Sequence, residues 1–352
     1  MISTLTLKKI SISAVVAVAI YWGLLKPYLE SMPAHPSKVR QAISNGKAFL
    51  KSIQKPNGAI SDTVNPLFAI WETVLAAKAL YGIDRPPNEP ALLKAMKFLK
   101  ENKNKDGLVC HNLKCREGYC IETSSLYLQL LIDLEGVEKV KAETGHIAGL
   151  QKNTGEWLVG NPDVRESRDF PSTTAFALAV LQKSNTQCLY PEQSVAWLIS
   201  KQTKQGHWGN VWEYYDIPAY ALWPMAQVLA PLTAPPIEEV KKKAVAYIIQ
   251  SQNSDGAWRH EVSDFIRRPS AELQTALMLA AIQSFQENTA DYSQLLDKAS
   301  IKALNFLVSH QAENGSWEGG NFPIDSQTYE KEEYVFATSM ALIVLQNYLD
   351  HL

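Results

Sequence analysis

The densest group of reactive side chains in this chain is Cys110-His111-x-x-x-Cys115-x-x-x-x-Cys120. Three thiols and an imidazole are a donor set for a tetrahedral zinc ion. Their spacing is wider than the tight Cys-x-x-Cys of structural zinc sites. In an exported protein the same thiols read as disulfide partners, and Cys188 makes four cysteines, which allow three pairings. Zinc ligands, disulfides and free thiols all stand as readings.

The second group is a set of acids beside aromatic rings. Asp216 follows Trp212-Glu213-Tyr214-Tyr215 and precedes Pro218. Glu272 stands in the first turn of an otherwise apolar helix, and Asp169 directly precedes Phe170. Glu72, Glu122, Arg267, Arg268, Glu332 and Glu333 occupy comparable places, with Trp71, Tyr119, Trp223 and Tyr334 nearby. A carboxyl in apolar surroundings has its pKa raised and becomes a proton donor at neutral pH. The structural alternative for each acid is a cap on the first turn of a helix.

A repeated turn must position these groups. Gln, three residues, Gly, one residue, Trp occurs at Gln151–Gly155–Trp157, Gln202–Gly206–Trp208, Gln252–Gly256–Trp258 and Gln311–Gly315–Trp317. Gln54–Gly58–Ile60 is a weaker copy, and a sixth keeps little beyond Gly107. Successive glycines at 58, 107, 155, 206, 256 and 315 lie 49, 48, 51, 50 and 59 residues apart. Such a period means tandem units, each too small to close its own core. Gly permits a positive φ at a helix C-cap, Gln can bond helix-end carbonyls, and Trp can cover the joint between neighbours.

Two helices flank each turn. The first is amphipathic: Val39–Ile53, Pro90–Lys100, Val137–Leu150, Pro191–Lys201, Ile237–Ser251 and Lys298–His310. The second is apolar nearly all round, which predicts burial on every side: Leu67–Tyr81, Glu122–Leu134, Ser172–Lys183, Ala219–Leu229, Ala271–Phe285 and Tyr334–Leu349. No alternating strand pattern is evident. The expectation is all-α, with six buried helices in an inner ring and six amphipathic ones outside. The starts of the inner helices and the loops before them would meet at one end of a central cavity, where six helix N-termini add positive potential.

Bulk properties agree with one large core. The 352 residues are 46% hydrophobic, with 34 basic and 36 acidic side chains and a net charge of −2. No basic footprint for nucleic acid is present. At the N-terminus, Lys8 and Lys9 precede the uncharged run Ile10–Leu25, with Tyr21 and Trp22 near its far end. Residues 1–26 therefore read as a membrane anchor or signal segment, with the body on the extracytoplasmic side. Residues 27–37, with three prolines, read as a linker, and 38–352 as one domain of six repeats.

On these turns the chain resembles the family of squalene–hopene cyclases, oxidosqualene cyclases and protein prenyltransferase β subunits. The resemblance implies an α-α toroid of six hairpins over roughly residues 38–350. It is specific for the fold and much less so for the activity. Class II terpene cyclases of this family open an inner helix with Asp-x-Asp-Asp-Thr-Ala, whose central Asp protonates an alkene or epoxide. Phe170-Pro171-Ser172-Thr173-Thr174-Ala175 matches only the final Thr-Ala; Phe170, Ser172 and Thr173 hold the acid positions. The prenyltransferase zinc set of Asp, Cys and His has no counterpart at its spacing, and the Tyr329–Ala337 segment lacks the family's histidine ligand.

Three functions follow as expectations. The first is acid-initiated cyclisation or isomerisation of an apolar, membrane-derived isoprenoid, with Asp216, Glu272 or Asp169 as acid. Trp71, Tyr119, Phe170, Trp212, Tyr214, Tyr215 and Tyr334 would then line the substrate. The second is a non-catalytic, membrane-tethered toroid that binds a lipid, peptide or glycan. The third is a metal-dependent enzyme using Cys110, His111, Cys115 and Cys120, zinc being the one cofactor the sequence suggests.

Overall fold

Proline sets the start of many helices, and a glycine turn follows each outer helix. The structure, a computed structural model, describes residues 32–62, 68–84, 88–111, 113, 117–160, 169–209, 217–260, 268–288, 290–321 and 334–352. In chain order its α-helices are α1 (Pro36–Ser52), α2 (Ala69–Asp84), α3 (Pro90–Glu101), α4 (Ile121–Glu135), α5 (Lys141–Gly149) and α6 (Pro171–Lys183). They continue with α7 (Pro191–Ser200), α8 (Pro218–Leu229), α9 (Pro235–Ser251), α10 (Ala271–Asn288), α11 (Ala290–Ser309) and α12 (Tyr334–Asp350). Proline suits the first helical position, because its missing N–H would have no intrahelical partner there.

Even-numbered helices form an inner ring and odd-numbered ones an outer ring. α1 buries Val39, Ala42, Ile43, Gly46, Phe49 and Leu50, a single stripe at helical spacing. α4 instead buries every residue from Ile121 to Leu131. Inner helices pack in the order α2, α4, α6, α8, α10, α12, and α12 returns to α2. The described helices thus close a ring.

Each turn is stitched to the next repeat. Gln311 Nε2 donates to Gly315 O at 2.9 Å and to Ala42 O of α1 at 2.8 Å, joining repeat six to repeat one. Gln54, Gln151, Gln202 and Gln252 each reach a carbonyl in or just before the following outer helix in the same way. Trp317 is fully buried and its Nε1 donates to Leu307 O at 2.8 Å. Trp157, Trp208 and Trp258 repeat that bond to Ile147, Leu198 and Ile248. Gly315 has φ +89°, and a Cβ there would stand 2.4 Å from Asn45 O of α1. The turn therefore needs glycine twice, for its backbone angle and for the close approach.

Three features differ from the sequence expectation. α11 starts at Ala290, eight residues before Lys298, because Leu296 and Tyr292 extend its inward stripe although exposed Leu295 blurs the pattern. α5 starts only at Lys141, after Gly136 (φ +89°) and a 3-10 turn over Val137–Lys139. A two-residue antiparallel ladder pairs Arg268–Pro269 with Gly320–Asn321. The expected anchor, Ile10–Leu25, lies outside the described residues; among those, no helix is long and apolar enough to cross a membrane.

Candidate active site

A hydroxyl on each of five inner helices fixes the register of the ring's interior. Thr73, Ser124, Thr174, Thr275 and Thr338 accept the backbone N–H of Ile60, Val109, Trp157, Trp258 and Trp317 at 3.0, 3.1, 3.1, 3.2 and 3.0 Å. These hydroxyls face outward, toward the turns. A residue two positions earlier is rotated by about 200° about the helix axis and faces the lumen. Those residues are Trp71, Glu122, Ser172, Leu273 and Phe336.

Two of these five are aromatic, two are Ser172 and Leu273, and one is a carboxyl. The rings of Trp71 and Phe336 meet edge to face at 4.4 Å. Tyr220 of α8 reaches Phe336 of α12 at 6.1 Å, although α10 lies between those helices in the ring. Phe176 and Trp223 continue the cluster, 5.1 Å apart. Glu122 shares this register and is only 4% exposed. It also occupies, in repeat two, the place that Ser172 holds in repeat three, where the resemblance expects the central Asp. The acid absent from α6 has its counterpart on α4.

The residue just before α4, two positions from Glu122, is set where negative charge is disfavoured. Burial pushes the neighbouring Cys120 thiol up to about 12, and the charge of Glu122 pushes the same way. A second buried carboxyl, Glu72, accepts the N–H of Asp62 at 3.2 Å. Asp62 in turn accepts the N–H of Val335 at 3.4 Å, capping the start of α12 where the ring closes.

The residues expected from sequence divide into three sets. Trp71 lies in the aromatic layer. Asp169 is exposed and paired with Lys201 at 3.1 Å, and Glu272 is half-buried on the first turn of α10. Tyr334 is half-buried against Phe49 of α1 at 6.2 Å, Phe170 is the N-cap residue of α6, and burial raises the Tyr119 pKa. Asp216, Trp212, Tyr214, Tyr215, Arg267, Glu332 and Glu333 lie outside the described residues. Tyr220, Phe336, Phe176 and Asp62 were not singled out; counting back from the anchoring hydroxyl finds Phe336 in the sequence.

Cys110 is disulfide-bonded, while Cys120 and Cys188 are free thiols; Cys115 lies outside the described residues. A disulfide sulfur is not a thiolate ligand, so the zinc reading lacks one of its three sulfurs. His111 instead stacks on Phe68 at 5.8 Å.

A cavity of about 660 Å³ lies at the other end of the ring, among the C-terminal turns of inner helices. Trp223 belongs both to its wall and to the aromatic layer.

A closed ring of helical hairpins around an interior that carries aromatic rings is the fold of the terpene cyclase-like toroids, and this chain has that fold. The model of the squalene–hopene cyclase C-terminal domain matches residues 163–328. The squalene–hopene cyclase of Zymomonas mobilis is 24% identical over 206 residues, covering 50% of this chain and 30% of that enzyme. The chain thus spans under a third of the length of the curated relative it matches. The type II terpene cyclase MstE from Scytonema, solved with merosterolic acid A as product, superposes with a TM-score of 0.70 at 17% identity, covering 90% of this chain and 99% of that one. A variant with geranylgeranyl dihydroxybenzoate as substrate gives 0.69, also at 17% identity with the same coverage. A Salmonella enterica protein, a possible GH105-family member, shares the fold at a TM-score of 0.61 and 13% identity, covering 91% of this chain and 96% of that one. The fold alone therefore does not select the chemistry.

Proposed function

We propose that this chain is an acid-initiated isoprenoid cyclase in which Glu122 gives the first proton. The single observation behind this is a buried carboxyl in the same lumen-facing register as Trp71 and Phe336. Burial disfavours the charged form of a carboxyl, the direction a proton donor requires. The proton adds to a terminal alkene carbon, and the π pair becomes a C–H bond. The tertiary cation left behind is attacked by the next alkene, which forms a C–C bond. Loss of a proton from the last cation restores the balance, so the reaction is an isomerisation. Trp71, Phe336, Tyr220, Phe176 and Trp223 supply π faces of the kind that stabilise positive charge. That the two MstE structures hold a geranylgeranyl-bearing substrate and a product supports this substrate class.

The test is incubation of the purified protein with a panel of all-trans polyprenyl compounds, with products read by gas chromatography and mass spectrometry. Wild type should yield cyclic isomers of unchanged mass. Glu122→Gln should fall by about 10²–10⁴-fold, as expected for loss of a general acid, and Glu122→Asp should retain part of the rate. Undiminished turnover by Glu122→Gln would overturn the assignment of the acid. No conversion of any polyene by wild type would overturn the function.

A further inference from the structure

The cavity at the C-terminal end of the inner ring shares only Trp223 with the chemistry above. Five of the six inner helices line it. Its lining includes the apolar side chains of Leu130, Ala179, Trp223 and Ile343 and carboxamides, among them Gln129 and Gln227. Its volume falls within the range of small-molecule sites.

Its charges are unbalanced. Lys183 and Asp133 pair at 2.6 Å, which cancels both. Lys78 donates to the neutral Oε1 of Gln129 at 3.1 Å and has no carboxylate partner among the described residues. Other charged groups near this end are taken: Glu135 by Lys100 of α3 at 2.6 Å, and Asp350 by Gln346 Nε2 at 2.9 Å. Tyr81 donates its hydroxyl to Asp133 O at 2.9 Å, and burial raises the Tyr348 pKa, so neither phenol supplies negative charge. An enclosed ammonium with only an amide oxygen for company is unfavourable. Lys78 responds accordingly. Burial, and then repulsion from Lys183, lower its pKa to about 7 against a smaller opposing pull from Asp133. Its remaining exposed surface faces the cavity.

We propose that this cavity is a second ligand site, built for a small monocarboxylate with an apolar body, whose carboxylate pairs with Lys78. One negative charge is what the site lacks. The inner helices end here, and their carbonyl ends oppose a multiply charged anion. The apolar body lies against Trp223 and Ile343, and the carboxamides serve the second carboxylate oxygen.

The sign of the pH dependence follows. A bound carboxylate raises the Lys78 pKa, so binding takes up a proton, is favoured below about pH 7 and weakens above it. Titration calorimetry with 3-phenylpropanoate and its neutral amide separates charge from shape. Wild type should bind the carboxylate at least about tenfold more tightly than the amide at pH 6. The carboxylate affinity should fall by up to tenfold per pH unit above about pH 7. Lys78→Arg keeps the charge without titrating, so its affinity should be flat between about pH 6 and 9. Lys78→Met, checked for folding by circular dichroism, should lose the preference for carboxylate over amide. Equal binding of the two probes, unchanged carboxylate binding by Lys78→Met, or no binding of either at ~10 mM would each overturn the proposal. Cyclase activity is not among the readouts, so these outcomes do not depend on the assignment of Glu122.

Discussion

Replacing Gly315 by Ala should open the ring at its closing joint. A Cβ at this position would lie 2.4 Å from Asn45 O, about 1 Å inside ordinary contact, on a residue with φ +89°. The turn must withdraw from α1 by that distance. Both Gln311 bonds, 2.9 Å to Gly315 O and 2.8 Å to Ala42 O, then stretch or rotate out of range. Two part-buried hydrogen bonds contribute about 2 kcal/mol together, and positive-φ strain on a non-glycine residue adds roughly 1–3 kcal/mol. Gly136→Ala supplies the control. Gly136 has the same φ of +89°, with ψ 163°, a combination at least as hostile to a side chain, but a Cβ there meets nothing within 4 Å. The difference between the two variants isolates the close approach and should be about 2 kcal/mol. At about 2.1 cal/mol/K per residue over roughly 320 residues, that difference lowers Tm by about 3 °C more than the control does. Thermal melts followed by circular dichroism give the shift, and hydrogen exchange should localise added opening to residues 36–52. If Gly315→Ala is no less stable than Gly136→Ala, the turn does not need its contact with α1 and the account of ring closure fails.

Thr338→Val keeps the shape of a fully buried side chain but removes the acceptor for Trp317 N–H, so urea unfolding should show a loss of about 1–3 kcal/mol. An unchanged midpoint would show that the hydroxyl anchor does not set the register. Glu89 sits between Lys51 at 3.0 Å and Lys47 at 3.1 Å, joining α1 to the start of α3. Burial raises its pKa, but hydrogen bonds from Lys51 and Lys47 outweigh this and hold it at about 2. Because the folded value is below the ordinary 4.5, its contribution is full above about pH 4.5 and fades as pH falls toward 2. The stability gap between wild type and Glu89→Gln should therefore shrink on acidification from pH 6 to about 3, and a constant gap would contradict the ion-pair reading.

Most of the ring was legible because its punctuation is chemical. α6 and α8 start within one residue of the positions read from sequence, where Pro171 and Pro218 admit the first turn and a glycine turn follows the preceding outer helix. The start of α11 was hidden, since exposed Leu295 beside buried Leu296 blurs a single apolar stripe. The site was less legible for a different reason. Asp216 stood out because aromatic residues precede it along the chain, whereas nearness in the lumen depends on register between helices. Trp71 and Phe336 are 265 positions apart and yet touch. The far cavity was invisible in one dimension: Lys78, Gln129, Lys183 and Gln227 come from four helices, and each reads alone as an ordinary polar helix end.

The repeats also explain why one layer can carry chemistry without endangering the fold. Gln, Gly, Trp and the inner hydroxyl satisfy one another's backbone groups in repeat after repeat, so these positions are committed to structure. The position two before the hydroxyl has no such duty. It holds Trp, Glu, Ser, Leu and Phe in five repeats of one ring, and all five are buried. Leu273 shows that an apolar side chain completes the layer, and burying a carboxyl in its place is unfavourable unless its hydrogen bonds are made. A buried acid at Glu122 is what the proposed proton transfer to an apolar substrate calls for. The same freedom accounts for one toroid serving unlike proteins: the stitching holds the ring, and the lumen-facing register chooses the reaction.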